Sequence, residues 1–119
     1  MKTVTIYLRA VEHNEKKQLA LFDSNRNIGI DDLVTLVPAG ALINWRLDWL
    51  SGIKSITRIY PKEDIRIIFT SEPKRRRFCQ GLILQVSKDA KGEEAYSIEF
   101  VLCSGEKMKI DPYIRIIPS

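Results

Sequence analysis

The sequence contains few of the residues from which catalytic and metal sites are usually built. It has one histidine and two cysteines among 119 residues. Zinc and copper sites draw several of their ligands from these two residue types, so we predict no metal and no other cofactor. Glycine-rich phosphate loops, the G-x-S-x-G elbow and the H-E-x-x-H helix are also missing. The sequence therefore predicts a protein that is not an enzyme.

Long apolar runs are missing as well. No stretch approaches the roughly 20 apolar residues that are needed to span a bilayer. Charges at Arg9 and Glu12 interrupt the N-terminal segment before it could form a secretory signal. We therefore expect a cytoplasmic protein without membrane contact. Cys79 and Cys103 lack the CxxC spacing, and we expect two reduced thiols, although whether they pair depends on the fold.

The composition is that of one globular domain covering residues 1–119. Hydrophobic residues make up 45% of the chain and charged residues 29%, which is typical of a folded protein of this length. Apolar residues alternate with polar ones along much of the chain. The clearest example runs from Ile43 to Trp49, where both tryptophans, Trp45 and Trp49, fall on the apolar face. Such alternation predicts a half-buried antiparallel strand.

About eight short strands are predicted in this way, among them 3–10, 19–22, 53–60, 65–69 and 96–102. Turn signals separate them, and residues 71–78 and 87–93 are predicted as a loop and a hairpin turn. Strands and turns at this spacing predict an all-β, antiparallel two-sheet sandwich. Its topology would be Greek-key, cupredoxin-like or immunoglobulin-like.

Two segments suggest the cupredoxins in particular. The turn and strand from Val37 to Trp45 resemble the V-x-P-G-x-x-V-x-W pattern of cupredoxin-like sandwiches, and 96–103 resembles the strand that leads to their copper cysteine. Met108 follows Cys103 at a spacing similar to that of an axial methionine. The resemblance implies the fold without the copper, because the histidine ligands are missing and His13 lies far away in sequence. Cys103 and Met108 are then a strand-end thiol and a packing residue.

Positive charge is concentrated in one part of the chain. Residues 53–77 carry a net charge of +5, and the remainder carries −1. This segment contains the run Lys74-Arg75-Arg76-Arg77, and Phe78 follows it. Arginine forks suit phosphate or carboxylate ligands. The candidate anion-binding residues are Arg58, Arg66, Lys74, Arg75, Arg76 and Arg77. The alternative is a solvated loop whose charges keep strand edges from pairing.

Three functions follow from these features. The first is a non-enzymatic binding or interaction module whose partner is another protein or a second copy, met through a sheet edge or an end loop. The second is nucleic-acid or polyanion binding through the Lys74–Arg77 run. The third is a thiol enzyme that uses Cys79, activated by the neighbouring positive charge. Carboxylate pairs such as Glu93-Glu94 are expected in solvated turns.

Overall fold

The computed structural model describes residues 2–13, 16–23, 28–30, 34–48, 51–62, 68–69, 71–75 and 81–117. This part of the chain contains no helix that could cross a membrane. It forms eleven strands: β1 Thr3–His13, β2 Lys16–Asp23, β3 Ile28–Ile30, β4 Val34–Pro38, β5 Leu42–Leu47, β6 Ile53–Pro61, β7 Lys74–Arg75, β8 Leu82–Gln85, β9 Glu93–Leu102, β10 Lys107–Ile110 and β11 Tyr113–Ile117.

The strands form two sheets, which confirms the all-β, two-sheet prediction. Over the described residues the first sheet has the order β3-β2-β1-β5-β8-β7, and the second consists of β4, β6, β9, β10 and β11. The prediction of wholly antiparallel sheets is wrong, because β1 pairs with β5, and β4 with β11, in parallel. The chain leaves the first sheet to form β4 and then returns to the free edge of β1 in the same direction. Parallel pairs require such a crossover between the two strands.

Three aromatic rings join the two sheets in the core. Trp45 of β5 and Tyr96 of β9 are fully buried and their ring centroids are 5.7 Å apart. Phe69 lies 6.0 Å from Trp45 and 5.3 Å from Tyr96. The indole Nε1 of Trp45 donates a hydrogen bond of 3.2 Å to the Tyr96 hydroxyl. Burial raises the pKa of Tyr96 far above its usual value, because the phenolate would be desolvated.

Strand β6 does not follow a period of two, and two bulges explain why. Its register against β9 shifts between Ile53 and Ser55 and again between Ile56 and Arg58. Each bulge inserts one extra residue, so the buried isoleucines of β6 (Ile53, Ile56 and Ile59) recur every third position. Arg58 is therefore exposed on the outer face of the second sheet.

Strands β10 and β11 lie end to end along one edge of β9. Ile110 pairs with Ile98 and Tyr113 with Ala95, so the register continues unchanged across the break. Asp111-Pro112 interrupts the ladder, as expected of a residue that lacks a backbone N–H. Asp111 is held there by the Ser97 hydroxyl, which donates to its Oδ1 at 2.6 Å.

Two local predictions are wrong, and a third is tested at only two of its residues. Residues 87–93 are not a hairpin turn, because β8 belongs to the first sheet and β9 to the second. The predicted loop 71–78 contains the short strand β7, which pairs with β8. The third concerns the predicted strand 65–69, of which only Ile68 and Phe69 are described. Both residues are buried but lie outside any strand.

Glu94 holds the backbone of Ile68 and Phe69 in place. It is 6% exposed at the start of β9, and its Oε1 accepts hydrogen bonds from the backbone N–H groups of Ile68 (3.2 Å) and Phe69 (2.9 Å). A carboxylate thus takes the place of a neighbouring strand as the acceptor for these two buried groups. The expectation that Glu93 and Glu94 lie in a solvated turn is wrong, because both belong to β9 and Glu94 is buried. Glu93 is exposed and accepts a hydrogen bond from Arg115.

Candidate functional site

Half of the predicted anion-binding residues fall within the described part of the chain. Arg58, Lys74 and Arg75 are described and exposed. The other three, Arg66, Arg76 and Arg77, lie outside the described residues, as do Phe78, Cys79 and Trp49. The structure therefore tests the predicted basic surface only at β6 and β7.

Arg75 is already engaged by the protein itself. Its Nη2 donates to the backbone carbonyl of Ile56 at 2.6 Å and to that of Thr57 at 3.3 Å. These carbonyls lie at the second bulge of β6. Arg75 belongs to the first sheet and these acceptors to the second, so its side chain bridges the two sheets at one side of the sandwich. It occupies a strand edge that another chain could otherwise extend.

Arg58 also has partners. Its Nε forms an ion pair with the carboxylate of Glu72, and this contact raises the pKa of the Arg58 guanidinium. The guanidinium lies over the Tyr60 ring, 4.4 Å from its centroid, at a distance typical of a cation–π contact. Arg58 is thus a fixed cation at the edge of the second sheet's outer face.

The outer face of the second sheet continues from Arg58 towards two lysines. The register places Glu99 of β9 beside Arg58 on one side and beside Lys109 on the other. Glu99 accepts a hydrogen bond of 3.1 Å from the Tyr60 hydroxyl, and Lys109 Nζ is 5.8 Å from the Tyr60 ring centroid. Lys107 lies one row further along, and it makes no ion pair within the described residues.

A groove of about 380 Å³ crosses this face, lined by Thr57, Glu99, Phe100, Lys107, Met108 and Lys109. We call this surface, together with Arg58 and Tyr60 at its border, the β6–β10 groove. Among its described lining residues Glu99 is the only carboxylate, and its Oε2 is occupied by Tyr60. The described residues offer the amines of Lys107 and Lys109 to a ligand.

Sequence reasoning missed Lys107 and Lys109, although a signal for them was present. The turn at Ser104-Gly105 predicts that the next strand folds back on 96–102. In that register, alternate residues of the returning strand face the same side as Glu99. The positive φ of Gly105 and the pairing of Lys109 with Glu99 agree with this turn.

The two residues singled out through the cupredoxin resemblance have the predicted simple roles. Cys103 is an exposed free thiol directly after β9. Met108 is half-buried and packs against the hydrophobic core. The turn at Pro38-Ala39-Gly40, which also carried the resemblance, is present, and Gly40 has a φ of 82°.

The fold and the groove define a two-sheet, all-β protein with exposed lysines in a groove on one outer face. No protein-family model matches the chain, and no curated protein matches it either. One similar solved structure is an endo-fucoidan hydrolase of glycoside hydrolase family 107, with a TM-score of 0.43, 8% identity and coverage of 99% of this chain. Another is SGBP-B of the Bacteroides ovatus mixed-linkage glucan utilization locus, in complex with a mixed-linkage heptasaccharide. Its TM-score is 0.35, with 10% identity and coverage of 93% of this chain.

The chain spans 24% of the first of these proteins and 35% of the second. Likenesses at these TM-scores and identities establish no family and assign no function. The resemblance to the cupredoxins stays a prediction.

Proposed function

We propose that this domain is a non-enzymatic binding module that holds a polyanion in the β6–β10 groove. The observation that carries the proposal is the convergence of Arg58, Lys107 and Lys109 from two strands on one open face. Lys107 has no acidic partner among the described residues, and an ammonium in that position can bind a phosphate or sulfate as a point charge. An open groove suits a polymer, which can pass along it.

Partner binding through a strand edge, the first expectation from the sequence, receives less support. Both edge strands of the first sheet are short over the described residues, since β3 has 3 residues and β7 has 2. The longer β6 carries two bulges and is covered by Arg75, and β4 ends in Pro38. Bulges, prolines and inserted charges are the features that keep edges from pairing.

The test is a titration of inorganic polyphosphate at two salt concentrations against the wild type and a Lys107→Ala/Lys109→Ala variant. The matched control is Lys88→Ala/Lys91→Ala, which removes the same charge from exposed lysines of the β8–β9 connection. We expect the groove variant to weaken binding by roughly two- to thirtyfold, as two surface charge contacts would. We expect wild-type binding to weaken with salt because counterions are released.

Equal loss in the two double variants would mean that only net charge matters, and it would remove the groove from consideration. No binding at low salt would reject the polyanion itself. The thiol-enzyme hypothesis rests on Cys79 and remains a separate prediction. It requires activity, or unusually fast alkylation, that a Cys79→Ala variant loses.

A further inference from the structure

A second surface, on the outer face of the first sheet, carries an aromatic pair beside an arginine. Tyr7 of β1 pairs with Phe22 of β2 on one side and with Arg46 of β5 on the other. Strands in a sheet lie about 4.7–4.9 Å apart, so the three side chains form one continuous row. We call it the Phe22–Tyr7–Arg46 row.

This row is open to solvent. Tyr7 is 36% exposed, and only one other large hydrophobic residue, Tyr113, is as exposed within the described residues. Phe22 is half-buried, and Arg46 is exposed and forms no ion pair among the described residues. Gly81, which precedes β8, lies beside Arg46 in space. A Cβ added to Gly81 would lie 2.6 Å from the Trp45 carbonyl oxygen. The backbones are therefore in close contact at that end of the row.

Further cations lie on both sides of the row. Lys74 pairs with Ile83, which is on the outer face of the first sheet, whereas its neighbour Arg75 extends the other way to β6. Lys74 therefore faces the same side as Arg46. Arg9 lies two residues beyond Tyr7 on β1 and forms an ion pair of 3.9 Å with Asp48. Within the described residues, Arg46 and Lys74 are thus exposed cations that form no ion pair, and the carboxylate of Asp48 is already paired with Arg9.

We propose that the Phe22–Tyr7–Arg46 row binds single-stranded nucleic acid, with unpaired bases stacked on Tyr7 and Phe22 and phosphates held by Arg46 and Lys74. Aromatic rings that reach the surface of a sheet, with cations beside them, suit stacked bases and their phosphates. A duplex does not fit this chemistry, because its base faces are covered by their neighbours. The charge also favours this ligand over an apolar protein partner.

The proposal goes beyond the proposed function, because the row and the β6–β10 groove lie on opposite outer faces of the sandwich. The two also differ in chemistry. The groove is proposed to recognise charge alone, whereas the row is proposed to recognise base faces. Each can therefore fail without the other.

The experiment compares a fluorescently labelled oligothymidine with an abasic oligonucleotide of the same length and charge. We expect the wild type to bind the oligothymidine at least about tenfold more tightly, since stacking contributes about 1–3 kcal/mol per base. Tyr7→Ala is expected to remove this preference and to leave the affinity for the abasic strand unchanged. The matched control is Tyr113→Ala, which removes the other exposed tyrosine, on β11 of the second sheet, and is expected to keep the preference.

Three outcomes would overturn the proposal. The first is equal affinity of the wild type for the two strands. The second is equally tight binding of a duplex. The third is a concentration-dependent dimer that Tyr7→Ala abolishes, because the row would then be a contact between two copies. Lys107→Ala/Lys109→Ala is expected to weaken polyphosphate binding without changing the ratio of oligothymidine to abasic affinity, so failure of the groove and failure of the row are distinguishable.

Discussion

The hydrogen bond between Trp45 and Tyr96 is expected to stabilise the core measurably. Both side chains are fully buried, and the indole N–H donates to the Tyr96 hydroxyl at 3.2 Å. Tyr96→Phe keeps the ring and leaves the indole N–H without its acceptor. A buried polar group without a partner costs about 1–3 kcal/mol. For a chain of this length each kcal/mol lowers the Tm by about 3–6 °C.

The assay is urea and thermal unfolding of four proteins: the wild type, Tyr96→Phe, Trp45→Phe and the double variant. In the Trp45→Phe background the donor is gone, so Tyr96→Phe is expected to cost little or to be slightly stabilising. Tyr113→Phe is the control for the same chemical change at a residue that is 38% exposed, and it is expected to change stability by less than about 0.5 kcal/mol.

The reasoning is refuted if Tyr96→Phe costs the same in both backgrounds. In that case the loss would come from the space left by the hydroxyl and not from the orphaned indole N–H. A loss in Tyr113→Phe as large as that in Tyr96→Phe would refute it in another way, because burial would then have no part in the effect.

Two further predictions concern Tyr96 and Arg75. Because burial raises the pKa of Tyr96, the unfolded chain ionises this tyrosine near its ordinary pKa of about 10 while the folded chain does not. The stability contributed by neutral Tyr96 is therefore complete below pH 10 and is lost above it, by up to about 1.4 kcal/mol per pH unit. The stability difference between wild type and Tyr96→Phe should shrink between pH 10 and 11 in urea unfolding, and a constant difference would contradict this. Arg75→Ala uncovers the carbonyls of Ile56 and Thr57 at the β6 edge and is expected to increase self-association in sedimentation velocity, whereas the adjacent Lys74→Ala should not. Monomeric behaviour of Arg75→Ala at high concentration would show that the bulges protect this edge without Arg75.

The sequence predicts the fold class well in strands where apolar and polar residues alternate, because the alternation shows which side chains are buried. Ile43 and Trp45 of β5, and Tyr96, Ile98 and Phe100 of β9, face the core as their period of two predicts. Turns at Gly40 and Gly105 occur where the glycines indicate them, since both adopt a positive φ. These features depend on neighbouring residues only, so the local pattern is sufficient to predict them.

Features that depend on distant partners could not be read from the pattern. The parallel pairing of β1 with β5 joins residues 39 positions apart, as Thr3 with Leu42, and alternation does not report strand direction. The buried carboxylate of Glu94 serves a segment 25 residues earlier in the chain. In sequence it looks like any acidic residue before a strand. The buried isoleucines of β6 do not follow a period of two, because two bulges change their spacing.

The described part of the basic run, Lys74 and Arg75 on β7, lies in the first sheet, whereas the β6–β10 groove lies on the second. The sequence predicts Arg75 as an anion-binding residue because it has cationic neighbours in the chain. In the structure its guanidinium donates to two backbone carbonyls. Lys107 and Lys109 do not form a basic run in the sequence, because Met108 separates them and Glu106 and Asp111 are close to them. Folding places them on one face with Arg58. The ion-pair partner of Arg58 is Glu72, which lies 14 residues further along the chain. A cation contributes to ligand binding according to which acceptors the fold has already given it. Lys107 has no ion-pair partner among the described residues, so it is a better candidate for ligand binding than Arg75, whose guanidinium is engaged.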